Sequence, residues 1–207
     1  MTETAPRRAL STLPTLAIGL FGGFTLGVAA RAWMRLISDD PEFTWKGTIF
    51  IVLGFTIFGL AQATVAVVRS RQPRRWKLTI LRTIGGIATL PLFLAAGAVM
   101  FPTVAGIGLG TARTHWHRAI RALCFLVALG PLVLVGRQLV DDFGWSLHSA
   151  VGYVVMLAIY AVVIAATRFT IARQEDGWRL SRNTTIIIVV VAGLVFAALF
   201  YAGGGFK

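Results

Sequence analysis

Long uncharged apolar runs alternate with short charged blocks along the chain. One such run, Gly47–Val68, holds 22 residues without a charge, and another, Asn183–Ala202, lies close to the C-terminus. About 20 consecutive apolar residues are needed to cross the hydrocarbon core of a bilayer as a helix. The pattern therefore predicts an all-α fold, a polytopic transmembrane helix bundle.

The composition agrees with this class and limits the partners. Apolar residues make up 57% of the chain and charged residues 14%, whereas a soluble domain carries about 25% charged residues. The net charge of +12 comes from basic blocks between the apolar runs, which is typical of cytoplasmic loops and not of a nucleic-acid-binding surface. We therefore expect a bacterial inner-membrane protein whose partner is the lipid bilayer, with no nucleic acid.

An internal repeat with an offset of 102 residues organises the sequence. The motif Arg-x3-Asp-Asp occurs at 35–40 and at 137–142, and the motif Arg-Gln-x3-Trp occurs at 71–76 and at 173–178. Chance matches do not keep one register without a gap over about 50 positions. We infer two tandem three-helix units. The predicted boundaries are an N-terminal tail at 1–14, unit one at 15–95, a linking region at 96–119, unit two at 120–202 and a C-terminal tail at 203–207.

The distribution of basic residues favours seven spans over six. In a 3+1+3 arrangement with parallel units, 15 of the 20 lysine and arginine residues lie on one side, whereas six spans leave the two sides equal. Basic residues are enriched in cytoplasmic loops. We therefore predict seven spans with a cytoplasmic N-terminus, and six spans are the alternative.

Seven spans require the stretch Leu78–Ala112 to cross the membrane twice in 35 residues. Two spans of about 17 residues are at the lower limit for helices. Because Pro91, Pro102 and several glycines interrupt this stretch, a re-entrant hairpin is the alternative. Broken backbone occurs at membrane depth only where protein covers it or a cavity adjoins it. The layout is shared with SWEET sugar transporters, which also contain parallel repeats.

Two segments carry a resemblance to known sequences. RAWMRLISDDPEFTW at 31–45 and RRW-x-LT at 74–79 resemble small multi-pass membrane proteins of actinobacteria. The resemblance covers nearly the whole chain. It implies a multi-pass membrane protein and no particular activity.

Two arginines within predicted helices break the repeat. Arg31 corresponds to Val133 in the second unit, and Arg82 corresponds to Thr184. A charge inside a membrane span is costly and commonly marks a functional site, so both are candidates for ligand-binding or gating residues that face a cavity. The alternative is that each side chain reaches to the membrane interface with its charged group.

The repeated acidic pairs form the other candidate site. Arg35 and Asp39, like Arg137 and Asp141, are spaced i, i+4 and so lie on one helix face. They either end each helix at the interface or form an outer mouth where the two units meet. The candidate ligand or gating residues are thus Arg31, Arg35, Asp39, Asp40, Arg82, Arg137, Asp141, Asp142 and His148, with Glu42 beside them.

The sequence predicts no catalytic residues, no metal site and no cofactor. His115 and His117 are spaced i, i+2 and do not share a helix face, and no carboxylate is near them in sequence. The single cysteine, Cys124, lies in an apolar run, where a free cysteine acts as a small hydrophobic residue.

Three functions fit these observations to different degrees. Transport or permeation of a small anionic or polar solute ranks first, because internal repeats and intramembrane arginines are features of transporters. A non-catalytic membrane subunit or scaffold of a larger complex is the alternative, because the chain has almost no extramembrane domain. A membrane-embedded enzyme ranks last, because no nucleophile or metal motif accompanies the acidic groups.

Overall fold

The computed structural model of the chain describes residues 10–38, 44–71, 75–96 and 98–172, and regular structure in these ranges is entirely helical. The elements are α1 (Thr12–Leu36), α2 (Trp45–Ser70), α3 (Arg75–Ile87), α4 (Leu90–Ala96), a single 3-10 turn (Ala98–Met100), α5 (Phe101–Ala112), α6 (Arg118–Phe143) and α7 (Leu147–Ile171).

Five stretches of the described residues are long and apolar enough to cross a membrane. They are Thr12–Leu36, Trp45–Ser70, Trp76–Leu94, Arg118–Phe143 and Leu147–Arg168. Many large apolar side chains on these helices are exposed, as expected where lipid is the solvent. This confirms the predicted class, a helical membrane bundle. The third helix predicted for unit two lies outside the described residues, and the count of seven spans stays a prediction.

Helices α1 and α2 pack closely along their length through glycines. A Cβ on Gly27 would lie 2.9 Å from the Cα of Val52, and Cβ atoms on Gly19 and Gly59 would collide with the facing backbone. Glycines spaced four residues apart allow two helix backbones to approach each other. The ridge Gly19-x3-Gly23-x3-Gly27 therefore packs within the molecule.

The segment between α2 and α6 forms a broken helical hairpin. Its first arm, α3 and α4, is interrupted at Ala88–Thr89, directly before Leu90-Pro91, because a proline ring clashes with the preceding turn and lacks an N–H. Its second arm is shorter and comprises Ala98–Ala112, about 24 Å at the usual rise per residue. The irregularity predicted for 78–112 is thus confirmed. The first arm contains the candidate span Trp76–Leu94, and the second arm is a shorter apolar helix.

The core lies where α2, α4 and α7 meet. Phe55, Phe58, Leu92, Met156 and Ile159 are each at most 2% exposed and belong to one apolar cluster. Helix α4 is only one to two turns long, yet it supplies Leu92 to this cluster. The hairpin is therefore part of the bundle and not an appendage.

The two predicted units pack differently in the described residues. Adding the repeat offset of 102 to the bounds of α2 gives the range 147–172. Helix α7 occupies Leu147–Ile171, so the second helices of the two units nearly coincide in register. Yet α1 packs on α2, whereas α6 packs mainly on α5. Thr103 on α5 donates a buried hydrogen bond to the carbonyl of Ala128 on α6 (2.8 Å). The tandem repeat itself stays a prediction.

Charged residues lie at both ends of the bundle, and most of the described basic ones lie at one end. At what we call the basic end, Arg69 on α2 donates to the carbonyl of Arg168 on α7 (3.4 Å), and Arg121 on α6 donates to Gly110 on α5 (2.9 Å). The far end carries Asp141 and Asp142, the acidic residues among those the structure describes. The basic end therefore gathers the start of α1, the end of α2, the α5–α6 loop and the end of α7.

Candidate functional site

A cavity of about 230 Å³ lies toward the far end, between α1, the 3-10 turn, α6 and α7. Four of its lining residues carry polar groups, and the others are apolar. The polar ones are Trp33, Gln138, Asp142 and Tyr160; the apolar ones are Ile37, Val99, Met100, Val135, Leu139 and Met156. The cavity thus lies between the two predicted units and is closed on one side by the tip of the hairpin.

Two hydrogen bonds hold α1 against α7 beside this cavity. The buried indole N–H of Trp33 donates to the carbonyl oxygen of Gly152 (2.7 Å). The Nε2 atom of His148 lies 2.7 Å from the carbonyl oxygen of Leu36. A carbonyl oxygen only accepts, so Nε2 carries the proton in this contact. His148, which the sequence predicts to flank an outer mouth, joins α1 to α7 through this contact.

Two of the four polar residues of the cavity come from one face of α6. Gln138 and Asp142 are spaced i, i+4 and both line the cavity, as residues four apart on a helix do. Asp142 is exposed at its rim, whereas Tyr160 is buried. A carboxylate, an amide and a phenol among apolar walls can orient a small polar molecule by hydrogen bonds.

Arg31 lies outside this cavity. Its Nε atom donates to the hydroxyl of Thr48 on α2 (3.1 Å), and Thr48 in turn donates to the carbonyl of Thr44 (3.0 Å). Arg31 is half-buried. It therefore joins α1 to the first turn of α2 near the far end.

The remaining candidate residues from the acidic pairs differ in whether they line the cavity. Arg35, Arg137 and Asp141 are exposed and do not line the cavity. Asp142, next to Asp141 in sequence, does line it. Asp39, Asp40 and Glu42 lie outside the described residues.

Arg82 lies at the opposite end of the molecule from the cavity. Its guanidinium donates to the carbonyl of Ala172, directly after α7. Its Nε atom is buried without a hydrogen-bond partner among the described residues. The positive charge of Arg113, at the end of α5, acts on Arg82. The structure thus separates Arg31 and Arg82, the two arginines that break the repeat, into different sites.

Metal ligation is not supported by any cluster in the part of the chain that the structure describes. Within those ranges no three histidine, cysteine or acidic side chains come together. His115 contacts the ring of Trp116 (centroids 6.4 Å apart), and Cys124 is half-buried as a free thiol.

Several residues that build these sites were missed by the sequence reasoning. Trp33, Gln138 and Tyr160 were read only as parts of apolar helices. Gln138 could have been found from its i, i+4 spacing to Asp142. Gln62 could have been found as the one amide in the uncharged run of α2, where it is 2% exposed.

These features together define a helical integral membrane protein with a small cavity toward one end and a cluster of arginines at the other. Comparison with protein-family models, with curated proteins and with solved structures gives no match. The function must therefore be argued from the geometry of this chain alone.

Proposed function

We propose that this protein binds a small polar solute at the cavity and transports it or lets it permeate across the membrane. The observation that carries this is the cavity between α1, the hairpin tip, α6 and α7, which combines apolar walls with Gln138, Asp142 and Tyr160. Sites of this composition are typical for small ligands. Its volume of about 230 Å³ suits a solute of few heavy atoms.

The charge of the cavity narrows the solute class. Asp142 supplies a carboxylate, and no arginine or lysine among the described residues lines the same cavity, so an uncharged or cationic polar solute is favoured over an anion. Arg31, which motivated an anionic solute, bonds to Thr48 instead. The tip of the hairpin, Val99 and Met100, forms part of the wall, so its movement would open or close the cavity.

Substitution of Asp142 by asparagine is expected to lower uptake about tenfold, the loss typical of one hydrogen bond to a charged group. The measurement is uptake into proteoliposomes for a panel of labelled polyols, sugars, amino acids, amines and inorganic anions. Asp141→Asn is the matched control, because Asp141 is the adjacent exposed acid and does not line the cavity. Equal effects of the two substitutions, or wild-type flux for no compound of the panel, would contradict the proposal.

We further propose the seven-span 3+1+3 arrangement in a bacterial inner membrane, with the basic end in the cytoplasm. In support, the start of α1 lies beside the end of α2, since the N–H of Leu10 donates to the hydroxyl of Ser70 (3.1 Å). The basic end also holds Arg113 and Arg121, which flank the α5–α6 loop. A common side for these basic residues is what the positive-inside rule requires.

Cysteine labelling in spheroplasts tests this topology. In a Cys124→Ser background, we expect a membrane-impermeant maleimide to label the Trp145→Cys variant, in the α6–α7 loop, from outside. The Thr114→Cys variant, in the α5–α6 loop, should react only after the membrane is permeabilised. The reverse pattern would favour six spans, because one crossing fewer before α6 moves both loops to the other side.

A membrane subunit or scaffold is the second candidate, and the surface of α6 favours it. Helix α6 leaves many large apolar side chains exposed within the described structure, namely Ile120, Leu123, Phe125, Leu126, Val127, Leu129, Val133 and Leu134. Such a face is suited to lipid or to another membrane helix. Co-purification of a stoichiometric partner from native membranes, together with no flux in proteoliposomes, would favour this candidate over transport.

A further inference from the structure

Three buried side-chain nitrogens make no hydrogen bond within the described residues. They are Nε2 of Gln62, Nε of Arg82 and Nε of Arg113. Buried polar groups in folded proteins are nearly always satisfied. All three atoms are donors, so what they lack is an acceptor.

The three side chains surround the end of α7, at the basic end. Gln62 on α2 accepts a hydrogen bond from the hydroxyl of Thr170 (2.7 Å), and Arg82 on α3 donates to the carbonyl of Ala172. Gly85, three residues beyond Arg82, faces the same Thr170 side chain. Arg113, at the end of α5, lies close enough for its charge to act on Arg82. Four helices thus bring these donors to one junction.

The charge balance of this junction is one-sided. Arg82 and Arg113 are both half-buried, and Arg69, which donates to the carbonyl of Arg168 on α7, is 8% exposed. The carboxylates within the described ranges, Asp141 and Asp142, lie at the far end. Two partly buried cations that repel each other raise the free energy of the folded state unless an anion lies beside them.

We propose that the α2–α3–α5–α7 junction binds a phosphate-type oxyanion, with Arg82 and Arg113 as its cationic ligands. A guanidinium presents a planar fork of N–H donors that matches phosphate oxygens, and phosphate can accept from several donors at once. This site is separate from the cavity and does not depend on the proposed transport. The anion is either free phosphate or the headgroup of a phospholipid.

A lipid headgroup has a direct route to this junction. Helix α3 exposes Trp76, Ile80 and Ile84, an apolar surface against which acyl chains can pack. The ammonium of Lys77 lies 5.6 Å from the ring centroid of Trp76, at the start of α3. Basic pockets between membrane helices on the cytoplasmic side are known to bind anionic headgroups.

Thermal unfolding of the purified full chain in an uncharged detergent tests the site. One titration uses inorganic phosphate against chloride at matched ionic strength, and the other uses phosphatidylglycerol against diacylglycerol in mixed micelles. A ligand of the folded state raises the unfolding midpoint. We expect phosphate, phosphatidylglycerol or both to do so, and the apparent affinity to fall about tenfold or more in Arg82→Gln and in Arg113→Gln, as typical for hydrogen bonds to charged groups.

Two further variants keep the test independent of folding. Arg118→Gln removes an exposed arginine at the start of α6 and should leave both titrations unchanged. Arg82→Lys keeps the charge and loses the fork, so it should bind with intermediate affinity. If Arg82→Gln does not give a single elution peak, Arg113→Gln and Arg82→Lys carry the comparison.

The outcomes distinguish the two sources of the anion from each other and from failure of the proposal. Stabilisation by phosphatidylglycerol alone identifies a lipid site, and stabilisation by phosphate as well identifies an oxyanion site. No stabilisation by either, or equal losses in Arg118→Gln and Arg113→Gln, would overturn the proposal. The proposal would also be overturned if phosphate or phosphatidylglycerol raised the unfolding midpoint only in a variant that carries both Glu175→Gln and Asp176→Asn. The chain's own carboxylates would then be the anion at this junction in the wild-type protein. None of these results depends on the flux measured for the cavity.

Discussion

Replacement of Gly23 by leucine is expected to destroy the packing of α1 on α2, whereas the same replacement of Gly22 should be tolerated. A Cβ on Gly23 would lie 2.5 Å from the carbonyl oxygen of Phe55 and 3.0 Å from the Cα of Thr56. These are backbone atoms, so no rotamer change relieves the clash. A Cβ on Gly22 would meet nothing within 4 Å, because Gly22 faces away from α2.

The magnitude of this effect follows from the cost of overpacking. Extra methylenes forced into a packed interface cost about 1–3 kcal/mol or more, and here the helices must move apart along the whole glycine ridge. We expect Gly23→Leu to elute as aggregate or to unfold at a clearly lower temperature, and Gly22→Leu to match the wild type. Equal elution profiles and unfolding midpoints for both variants would show that α1 and α2 do not meet through this ridge.

Truncation of Trp33 should have the second-largest effect, because this side chain fastens α1 to α7. Trp33 is 7% exposed, and its indole N–H donates to Gly152 (2.7 Å). Loss of a buried tryptophan typically costs about 3–5 kcal/mol. Trp33→Phe keeps most of the apolar volume but removes the hydrogen bond to the Gly152 carbonyl, a loss of about 0.5–1.5 kcal/mol.

The expected order of unfolding temperature is wild type, then Trp33→Phe, then Trp33→Ala. Trp145→Ala is the matched control, since Trp145 is 93% exposed and should leave the midpoint unchanged. A Trp33→Phe variant as stable as the wild type would show that the hydrogen bond to Gly152 contributes nothing. Because Trp33 also lines the cavity, Trp33→Ala should enlarge it.

The class of the protein could be predicted from the sequence because it depends on local apolar runs. A helix crosses a membrane when about 20 consecutive residues are apolar, and Trp45–Ser70 and Leu147–Arg168 meet that condition by themselves. The glycine ridge of α1 could also be predicted, since a spacing of four places Gly19, Gly23 and Gly27 on one face. The break before Pro91 follows from the chemistry of a single residue.

The sites could be predicted only in part, because they join residues far apart in the chain. Asp141 and Asp142 are identical acids in adjacent positions, yet only Asp142 lines the cavity, and that depends on how α6 is rotated about its axis. Arg82 is distinguished by its position in the repeat, whereas Arg113 lies in the predicted linking region 96–119, where no pattern distinguishes it. Nothing local in the sequence brings these two together.

The apolar length of the helices, the spacing of the glycines and the break at the proline were thus determined by the sequence itself. Each of these features depends on residues that are close together in the chain. The tertiary structure alone decided that α6 packs mainly on α5 and less on α7, whereas α1 packs mainly on α2. It also decided that Arg31 bonds to Thr48 while Arg82 approaches Arg113. Helix rotation and pairing result from the sum of many weak contacts between distant segments, and a linear pattern of apolar and polar positions does not contain that sum.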